Sequence, residues 1–529
     1  MRTGLKDRNS LIHLCTFTAL LTLVIVAFTI EIEGVFPEEP TSEQTPRIRP
    51  AYKNVVIPPN IAPLNFRILE PGSEFHVTIS STNNTGEHIE ISTEKPDISI
   101  PLQQWRRLLS QQSGNEIKFV IRARNTANTW NKFQPIINRV ATDSIDSHLV
   151  YRLLKPLYNK YVHMGIYQRD LSNFEESPIL ENRYAENVCI NCHTFHQNKP
   201  DPMLLEVRND QGSPILIARG DEVETIDTRT DFHYSPATYA TWHPDGQHVC
   251  YSLNNATLFF HTDPRKETRE VFDATSELVV YSLENNTVTT TPEISSEEFA
   301  ETWPEWSADG RHLYFSSTQV TPIEQYTTVR YDLMRIAYNA KTEEWGKLET
   351  VISADEAGMS VLQPKASPDG RYLVCTMADH GNFPIFLESS DLYVLDLQNG
   401  KYRRLDINSD QVDSWHAWSS NSRWLVFSSK RLDGLFARPF ITYVDTSGRF
   451  HPPVLLPQEN PGFYDSFIQT VNVPVLVNGR IEVDQRTLAN AITSPREITK
   501  VRLDSSVATK EVPPGSSTST EPYSSGSFP

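Results

Sequence analysis

The stretch that decides the fold is "TWHPDGQHVCYS", residues 241–252. A Trp-led segment runs into a Pro-Asp-Gly turn, and a segment of alternating apolar residues follows, a pattern typical of a β-hairpin. Three similar copies come later: "EWSADGRHLYFS" at 305–316, "KASPDGRYLVCT" at 365–376 and "AWSSNSRWLVFS" at 417–428. The chain therefore contains an internal repeat, which is the first feature to settle in predicting a fold.

The repeat spacing indicates about four strands per unit. Asp245, Asp309, Asp369 and Asn421 hold the same place in the four copies, 64, 60 and 52 residues apart. Further strand-like segments follow each hairpin, and four-stranded units arranged radially form a β-propeller. The segment 203–228 has three more short strands, which a strand from the C-terminal side would complete. We therefore predict a mainly β protein with a propeller of five or six blades over residues 203–485.

The N-terminus predicts a membrane anchor. Residues 11–30, "LIHLCTFTALLTLVIVAFTI", contain no Asp, Glu, Lys or Arg and are long enough to cross a bilayer. Arg2, Lys6 and Arg8 precede them, so the positive-inside rule places the remainder outside the cytoplasm. We expect residues 1–30 to be a signal anchor holding the protein at the periplasmic side of the inner membrane. A cleaved signal peptide, with release to the periplasm, is the alternative.

Four further regions complete the predicted organisation. Residues 31–58 are rich in Pro and Glu and predict an extended linker. Residues 59–145 contain "EFHVTIS" and "EIKFVIRAR", whose period-two alternation predicts a small β-sandwich. Residues 146–202 place leucines near helical spacing and predict a helical connector. Residues 486–529 form a C-terminal extension whose last segment, "VPPGSSTSTEPYSSGSFP", lacks the apolar content to fold and should be disordered.

The helical connector leads into "ENVCINCHTFH", residues 186–196, which contains two of the five cysteines of the chain. A C-x-x-C-H motif is typical of haem c attachment, with Cys189 and Cys192 as covalent anchors and His193 as axial iron ligand. A zinc site using both cysteines with His193 or His196 is the second interpretation, but no second ligand pair of zinc-site spacing exists. A disulfide between the two cysteines is the third.

The order of these features resembles a known family. The hairpin copies are similar to the TolB-like, WD-related propeller repeat over residues 205–470. Together with the exported N-terminus, "PPNIAPLNF" and "NCHTF", they resemble bacterial envelope proteins that combine haem c with a TolB-like propeller. The resemblance implies one covalent haem c and a β-propeller, without a pathway. The last copy departs from the pattern, because Asn421 and Ser422 replace the Asp-Gly pair of the turn.

The sixth iron ligand is less well specified. Met203 follows a short Pro-containing loop after the motif and is our first candidate, with Met164 and His163 as rivals. A sixth ligand would favour electron transfer, and an open iron face would favour small-molecule chemistry. We expect Cys250 and Cys375, at apolar positions of repeat strands, to be buried thiols.

Charge and missing motifs exclude several functions. Lys plus Arg is 48 against 66 for Asp plus Glu, a formal charge of -18, which disfavours nucleic acid as a partner. No G-x-S-x-G, phosphate-binding glycine loop or H-E-x-x-H is present, so hydrolase and nucleotide-dependent activities lack support. The oligomeric state cannot be read from the chain. The tryptophans of the repeats favour packing between blades over a ligand-stacking platform: Trp303, Trp306, Trp415, Trp418 and Trp424.

We therefore predict a membrane-tethered c-type cytochrome that passes one electron to a redox protein in the cell envelope; whether it is also an enzyme stays open, with an electron-transfer or binding role favoured over catalysis. The alternative is a propeller that binds proteins or glycans, with a structural or sensory haem.

Overall fold

A computed structural model describes residues 42–155, 163–208, 213–233, 235–260 and 269–507. The predicted membrane anchor and most of the tail lie outside the described residues. Within the described part of the chain, no helix combines the length and apolar character needed to cross a bilayer.

The N-terminal domain is a two-layered β structure. Its elements are β1 (Ile48–Arg49), β2 (Val56–Ile57), β3 (Phe66–Ile68), β4 (Glu74–Ser81), β5 (Ile89–Thr93), β6 (Asp97–Ile98), α1 (Leu102–Gln111), β7 (Glu116–Arg124), β8 (Trp130–Lys132) and β9 (Ile136–Val140). One sheet has the order β2–β9–β7–β4–β5 with β8 beside β7, and the other has the order β1–β3–β6. The predicted sandwich is thus present, with an unpredicted helix in the second layer.

The two layers share one core. Phe119 of β7 contacts Phe66 of the small sheet and Trp105 of α1, with ring centroids 6.0 and 6.3 Å apart. Helix α1 buries Trp105, Leu108 and Leu109, whose spacing places them on one face. The predicted free linker is wrong for residues 48–57, because Ile48 and Ile57 are buried in this core and their strands pair with the two sheets.

Six sheets follow, each built on the four strands of one blade, and two of them gain a fifth strand from the C-terminal residues. Blade six has the order β12–β11–β10–β35, and each other blade has its strands in chain order. Blade six consists of β10 (His148–Leu154), β11 (Gly165–Asp170), β12 (Glu176–Glu181) and β35 (Thr470–Val477). Blade one consists of β13 (Cys189–Phe195), β14 (Met203–Arg208), β15 (Ile215–Arg219) and β16 (Glu222–Asp227), and blade two of β17 (Ala237–Trp242), β18 (His248–Leu253), β21 (Leu278–Ser282) and β22 (Thr287–Thr289). Blade three consists of β23 (Phe299–Trp306), β24 (His312–Gln319), β25 (Asp332–Asn339) and β26 (Glu344–Ile352), blade four of β27 (Ser360–Ala366), β28 (Tyr372–Ala378), β29 (Asp391–Asp396) and β30 (Lys401–Arg404), and blade five of β31 (Asp413–Trp418), β32 (Trp424–Ser429), β33 (Arg438–Tyr443) and β34 (Val454–Leu455).

The sheets form a closed ring, which is the arrangement of a six-bladed β-propeller. The innermost strand of each blade packs against the innermost strand of the next, in the cycle β13, β17, β23, β27, β31, β35 and back to β13. Apolar clusters fill the space between neighbouring blades. A hairpin of β19 (Asn255–Phe260) and β20 (Arg269–Thr275) extends from blade two. Its Val271 and Phe272 belong to one apolar cluster with Trp303 and Trp415 of the inner strands.

The predicted helical connector is wrong. Residues 148–154 form β10, which is buried on both faces: Leu149, Tyr151 and Leu153 belong to one apolar cluster and Val150 to another. Two leucines four residues apart share a face in a helix and also in a strand, so their spacing does not distinguish a helix from a strand. Pairing of β10 with β35 on one side and β11 on the other favours the strand.

The divergent turn of the last repeat is where the N-terminal domain docks. Ser420 donates from its backbone N–H and its hydroxyl to the buried carboxylate of Asp146. Asn421 Nδ2 donates to the Ser144 carbonyl at 2.7 Å, and Trp424 Nε1 donates to the Asp143 carbonyl at 3.0 Å. A proline at position 420, as at the equivalent positions of two other turns, would remove a donor from this contact.

Residues after blade six pack onto the outside of the ring. Helix α4 (Gln485–Thr493) buries Leu488 and Ile492, and its N-terminus is capped by Asp484, which accepts from the N–H groups of Arg486 and Thr487. Strands β36 (Ile498–Lys500) and β37 (Arg502–Leu503) pair in parallel with the outer strands of blades one and two. The remaining helices are short: α2 (Ala354–Ala357), α3 (Phe463–Ser466) and 3-10 turns at Asn182–Tyr184, His196–Asn198, Pro292–Ile294, Ile323–Thr328 and Pro384–Phe386.

Candidate ligand-binding site

All six inner strands carry a bulge at the same place, facing the propeller axis. In each, the inner strand has one residue more than its partner, and the bulge begins at Asn191, Tyr239, Trp303, Gln363, Trp415 or Val473. At the last five of these positions φ is between 47° and 55°. Left-handed backbone is uncommon for aromatic and β-branched residues and costs on the order of 1–3 kcal/mol each. The repeated strain marks the axis as a candidate functional site.

The bulges surround a cavity of about 490 Å³. This volume lies within the range of about 300–1,000 Å³ found for small-molecule and cofactor sites. All six inner strands contribute to its wall, and the wall combines aromatic rings with a few polar side chains. Tyr239 stacks on Trp303 with centroids 3.5 Å apart, and Trp415 meets Trp303 edge-on at 5.2 Å. Glu305 and Lys365 form an ion pair of 2.7 Å at the wall.

The C-x-x-C-H motif occupies the bulge of blade one. Its residues 189–195 form β13, so the predicted short helix is wrong here, and pairing with β14 explains why. Ile190 pairs with Val207 and His193 pairs with Leu205, which leaves Asn191 and Cys192 in the bulge. Cys192 and His193 line the cavity, whereas Cys189 lies outside its wall. The motif thus takes the position at which the other five strands present their cavity residues.

His193 is a buried, neutral imidazole. It is 3 % exposed, and neither ring nitrogen has a hydrogen-bond partner of normal geometry. Burial, reinforced by the Arg152 cation, lowers the pKa of His193 to about 3, although the Val150 and Val473 carbonyls beside the ring oppose the shift. A neutral ring with free nitrogens is the state in which histidine binds a metal ion.

A buried polar cluster holds the motif from behind. Arg152 Nη1 donates to the side-chain carbonyl of Asn191 at 2.5 Å, and Asn191 Nδ2 lies 3.5 Å from Glu206. Glu206 also accepts from the Ala240 N–H at 3.0 Å. Burial raises the pKa of Glu206 to about 7, against the opposing effect of Arg208. Both arginines keep one buried N–H group without a partner, so the cluster can still accept an anionic group.

Both thiols of the motif are buried. Cys189 and Cys192 are 8 % and 7 % exposed, and burial raises the pKa of the Cys192 thiol to about 12. All four described cysteines are free, and Cys250 and Cys375 are fully buried as predicted. Among the described side chains, no group of three zinc-type ligands within 4.8 Å of one another includes either cysteine of the motif.

The candidates for a sixth ligand lie away from the cavity wall. Met203 is 1 % exposed and belongs to the apolar cluster between blades one and six. Met164 lies closer to the motif, since its sulfur accepts from the Ile190 N–H at 3.3 Å. His163 is exposed. Ligation by Met203 stays a prediction.

Sequence reasoning missed most of the cavity wall. Trp306, Trp418 and Trp424 belong to the apolar clusters between blades as predicted, but Trp306 and Trp418 also line the cavity, and Trp303 and Trp415 cluster at the axis. The signal that could have identified them is their place three residues before the W-S-x-D or W-S-S-N turn in two copies of the repeat.

No family model and no curated protein matches the chain. Several solved structures are distantly similar. A nidogen–laminin complex has 8 % identity and a TM-score of 0.37, over 63 % of this chain and 100 % of that one. The β-propeller domain of Cps50 (Swd1) from Myceliophteria thermophila has 9 % identity and a TM-score of 0.31, over 60 % and 90 %. Hydrazine synthase of Kuenenia stuttgartiensis has 12 % identity and a TM-score of 0.31, over 49 % and 64 %.

Proposed function

We propose that the protein is a ligand-binding propeller whose axial cavity holds one covalently attached haem c. Cys189 and Cys192 would be the thioether anchors and His193 the axial ligand. The observation that carries this proposal is His193 itself, a buried neutral imidazole without partners, in a C-x-x-C-H motif on the wall of the cavity. A buried polar group without a partner is costly, and coordination to iron would satisfy it.

The surrounding residues fit such a group. The aromatic side chains Tyr239, Trp303 and Trp415 suit a flat apolar macrocycle. Arg152 and Arg208 keep unpaired N–H groups beside the cysteines, and carboxylates like those of haem are their preferred partners. When bound, the haem would supply a one-electron redox couple or a site for a small molecule.

Binding, with a structural or sensory haem, is the role best supported, because the motif is enclosed by the inner strands. Electron transfer in the cell envelope is the second candidate, and the motif together with the formal charge of -18 favours it. The acidic protein would then meet a basic redox partner. In both cases the predicted anchor, residues 1–30, would hold the protein at the periplasmic side of the inner membrane.

The test is covalent haem content. The full chain should be produced in cells with a haem-attachment system and run on a denaturing gel stained for haem peroxidase activity. Thioether bonds survive denaturation and coordinate bonds do not, so we expect the stain to follow the polypeptide. Replacing Cys189 and Cys192 with Ala should abolish it. The matched control is Cys250→Ala with Cys375→Ala, two buried cysteines outside the motif, which should retain the stain.

His193 is tested separately by chemical rescue. His193→Gly should still be stained but should have an altered iron spectrum, and added imidazole should restore it. A wild-type protein without covalent haem, made in cells that mature a known c-type cytochrome, would refute the proposal. An unchanged spectrum in His193→Gly would refute the ligand assignment alone.

A further inference from the structure

A second group of metal-ligating side chains lies outside the axial cavity, at the first Pro-Asp-Gly turn. We propose that His243, Asp245 and His248 bind one divalent transition-metal ion of the zinc class. Asp245 Oδ2 lies 3.0 Å from His243 Nδ1 and 2.8 Å from His248 Nδ1. One donor atom from each residue falls within 4.8 Å of the other two. Ligands at the usual zinc distance in tetrahedral geometry are roughly 3.3 Å apart, so only small shifts are needed.

The imidazole of His243 is oriented as in a metal ligand. Its Nε2 lies 2.9 Å from the Gly310 carbonyl, which can only accept, so the proton is on Nε2. Nδ1 therefore carries a lone pair, which accepts a hydrogen bond from the Asp245 N–H at 3.2 Å. Metal-binding histidines commonly donate their other N–H to a carbonyl in this way. Asp245 Oδ2 lies 3.0 Å from the same Nδ1, and a cation bound by both atoms would be attracted by the carboxylate charge.

The other two ligands are also supported. Asp245 Oδ1 accepts from the backbone N–H groups of Gln247 and His248 at 2.8 and 3.2 Å, which leaves Oδ2 to the imidazoles. Nε2 of His248 lies 3.8 Å from Glu343 Oε1. The two backbone hydrogen bonds fix the orientation of the Asp245 carboxylate, and the Glu343 carboxylate lies on the Nε2 side of His248 beyond hydrogen-bond distance.

The equivalent turns of the other blades close without a histidine at the position of His243. The position of His243 is Ser307, Ser367 or Ser419 in the other copies, and each serine hydroxyl donates to the acidic or amide residue two places on. In the first copy, His243 takes the place of this hydrogen-bonded serine, and its Nδ1 can donate a lone pair to a metal ion. This substitution within the repeat is the second observation that points to a ligand.

The surroundings leave one coordination position free. The imidazoles of His243 and His248 are 7 % and 9 % exposed, while the Asp245 side chain is 32 % exposed and gives access from solvent. Trp306 meets His243 edge-on at 4.8 Å. The Tyr338 hydroxyl is buried without a partner, with Glu343 and Asp245 near it. Three protein ligands and a water are typical of catalytic zinc sites, whereas structural zinc sites use four protein ligands.

The experiment uses the full chain, freed of metal with a chelator and dialysed against dilute zinc chloride, with zinc counted by elemental analysis. We expect one zinc ion per chain in the wild type. Three variants import residues from the equivalent turns of the other blades and should fold: His243→Ser, Asp245→Asn as at Asn421, and His248→Tyr as at Tyr372. Because the loss of an outer hydrogen-bonding partner already costs about 10–100-fold in affinity, each variant should weaken binding at least about 100-fold.

Two controls separate this site from others. His312→Tyr changes the position equivalent to His248 in blade three, where a serine replaces the first histidine, and should bind zinc as the wild type does. Cys189→Ala with Cys192→Ala should also retain the ion. Zinc binding that survives in His243→Ser, or is lost with the cysteines, would overturn the proposal. Absence of stoichiometric zinc in the wild type would overturn it as well.

Discussion

Asp273 should make the stability of the propeller depend on pH in the opposite sense to an ordinary surface carboxylate. It lies on β20, is 7 % exposed, and accepts from Asn254 Nδ2 at 2.9 Å and from Asn382 Nδ2. The Asn382 carbonyl in turn accepts from Trp303 Nε1 at 3.0 Å. Asp273 thus links the hairpin to blade four and to the aromatic wall of the cavity. Burial raises the pKa of Asp273 from 3.8 to about 7, although the two amides oppose the shift.

The sign of this pH dependence follows from the proton that the folded protein holds on Asp273. Between pH 3.8 and 7 the folded protein holds a proton on Asp273 that the unfolded chain has lost, so this group stabilises the fold at low pH. That contribution is fully present below pH 3.8 and disappears as the pH rises through 7. A difference of roughly three pKa units corresponds to about 4 kcal/mol over the whole window, of which about 2.6 kcal/mol falls between pH 5 and 8.

Asp273→Asn removes the titration and retains a carbonyl oxygen for both amide donors. Urea unfolding of wild type and variant, followed by tryptophan fluorescence at pH 5 and pH 8, gives the difference in unfolding free energy. We expect the wild type to lose about 2.6 kcal/mol relative to the variant between these pH values. Contributions from His193 and His416, whose pKa values burial lowers to about 3, have the opposite sign but are common to both proteins. A difference independent of pH, or one that grows with pH, would refute the reasoning.

Three further expectations concern the haem, the domain contact and the partner. If Met203 is the sixth ligand, Met203→Leu should remove a methionine-to-iron band from the haem spectrum; an unchanged spectrum would leave Met203 as a core residue between blades and refute its ligation. Ser420→Ala, which imports the residue of Ala308, should destabilise domain docking by about 1–3 kcal/mol in thermal unfolding, because the buried Asp146 loses a donor; an unchanged melting temperature would contradict this. If the protein transfers electrons, stopped-flow mixing should show faster exchange with a basic than with an acidic cytochrome, and the preference should fade as the screening length falls to about 3 Å at 1 M salt; salt-independent slow rates would argue against this role.

The repeat was predictable because its signals are local. An Asp-Gly turn between alternating apolar segments, preceded by Pro at Asp245 and Asp369 and by Ala at Asp309, indicates a hairpin from local residues alone, and all three hairpins form. The spacing of the copies then set the strand number per blade. Residues 148–154 were misassigned because leucines four apart satisfy both periods, and only their pairing with β35 decides between them.

The candidate site was only partly predictable, for a physical reason. Cys192 and His193 belong to a motif whose chemistry is visible in a few adjacent residues. Tyr239, Trp303 and Trp415 become cavity residues only through bulges with positive φ, which aromatic residues seldom adopt. Such a conformation is held by the neighbouring strands of the ring, so it depends on tertiary structure and leaves little trace in the local sequence.

The closure of the ring has a consequence for the order of biogenesis. Blade six combines β10, β11 and β12 with β35 at residues 470–477, so it cannot form until almost the whole chain has been synthesised and has left the ribosome. Pairing across so large a sequence separation is slow, because a long loop must close first. β13 lies beside β35, and in the closed ring Cys189 and Cys192 are nearly inaccessible. Any enzyme that modifies these cysteines must therefore act while the ring is open, and late closure provides that interval.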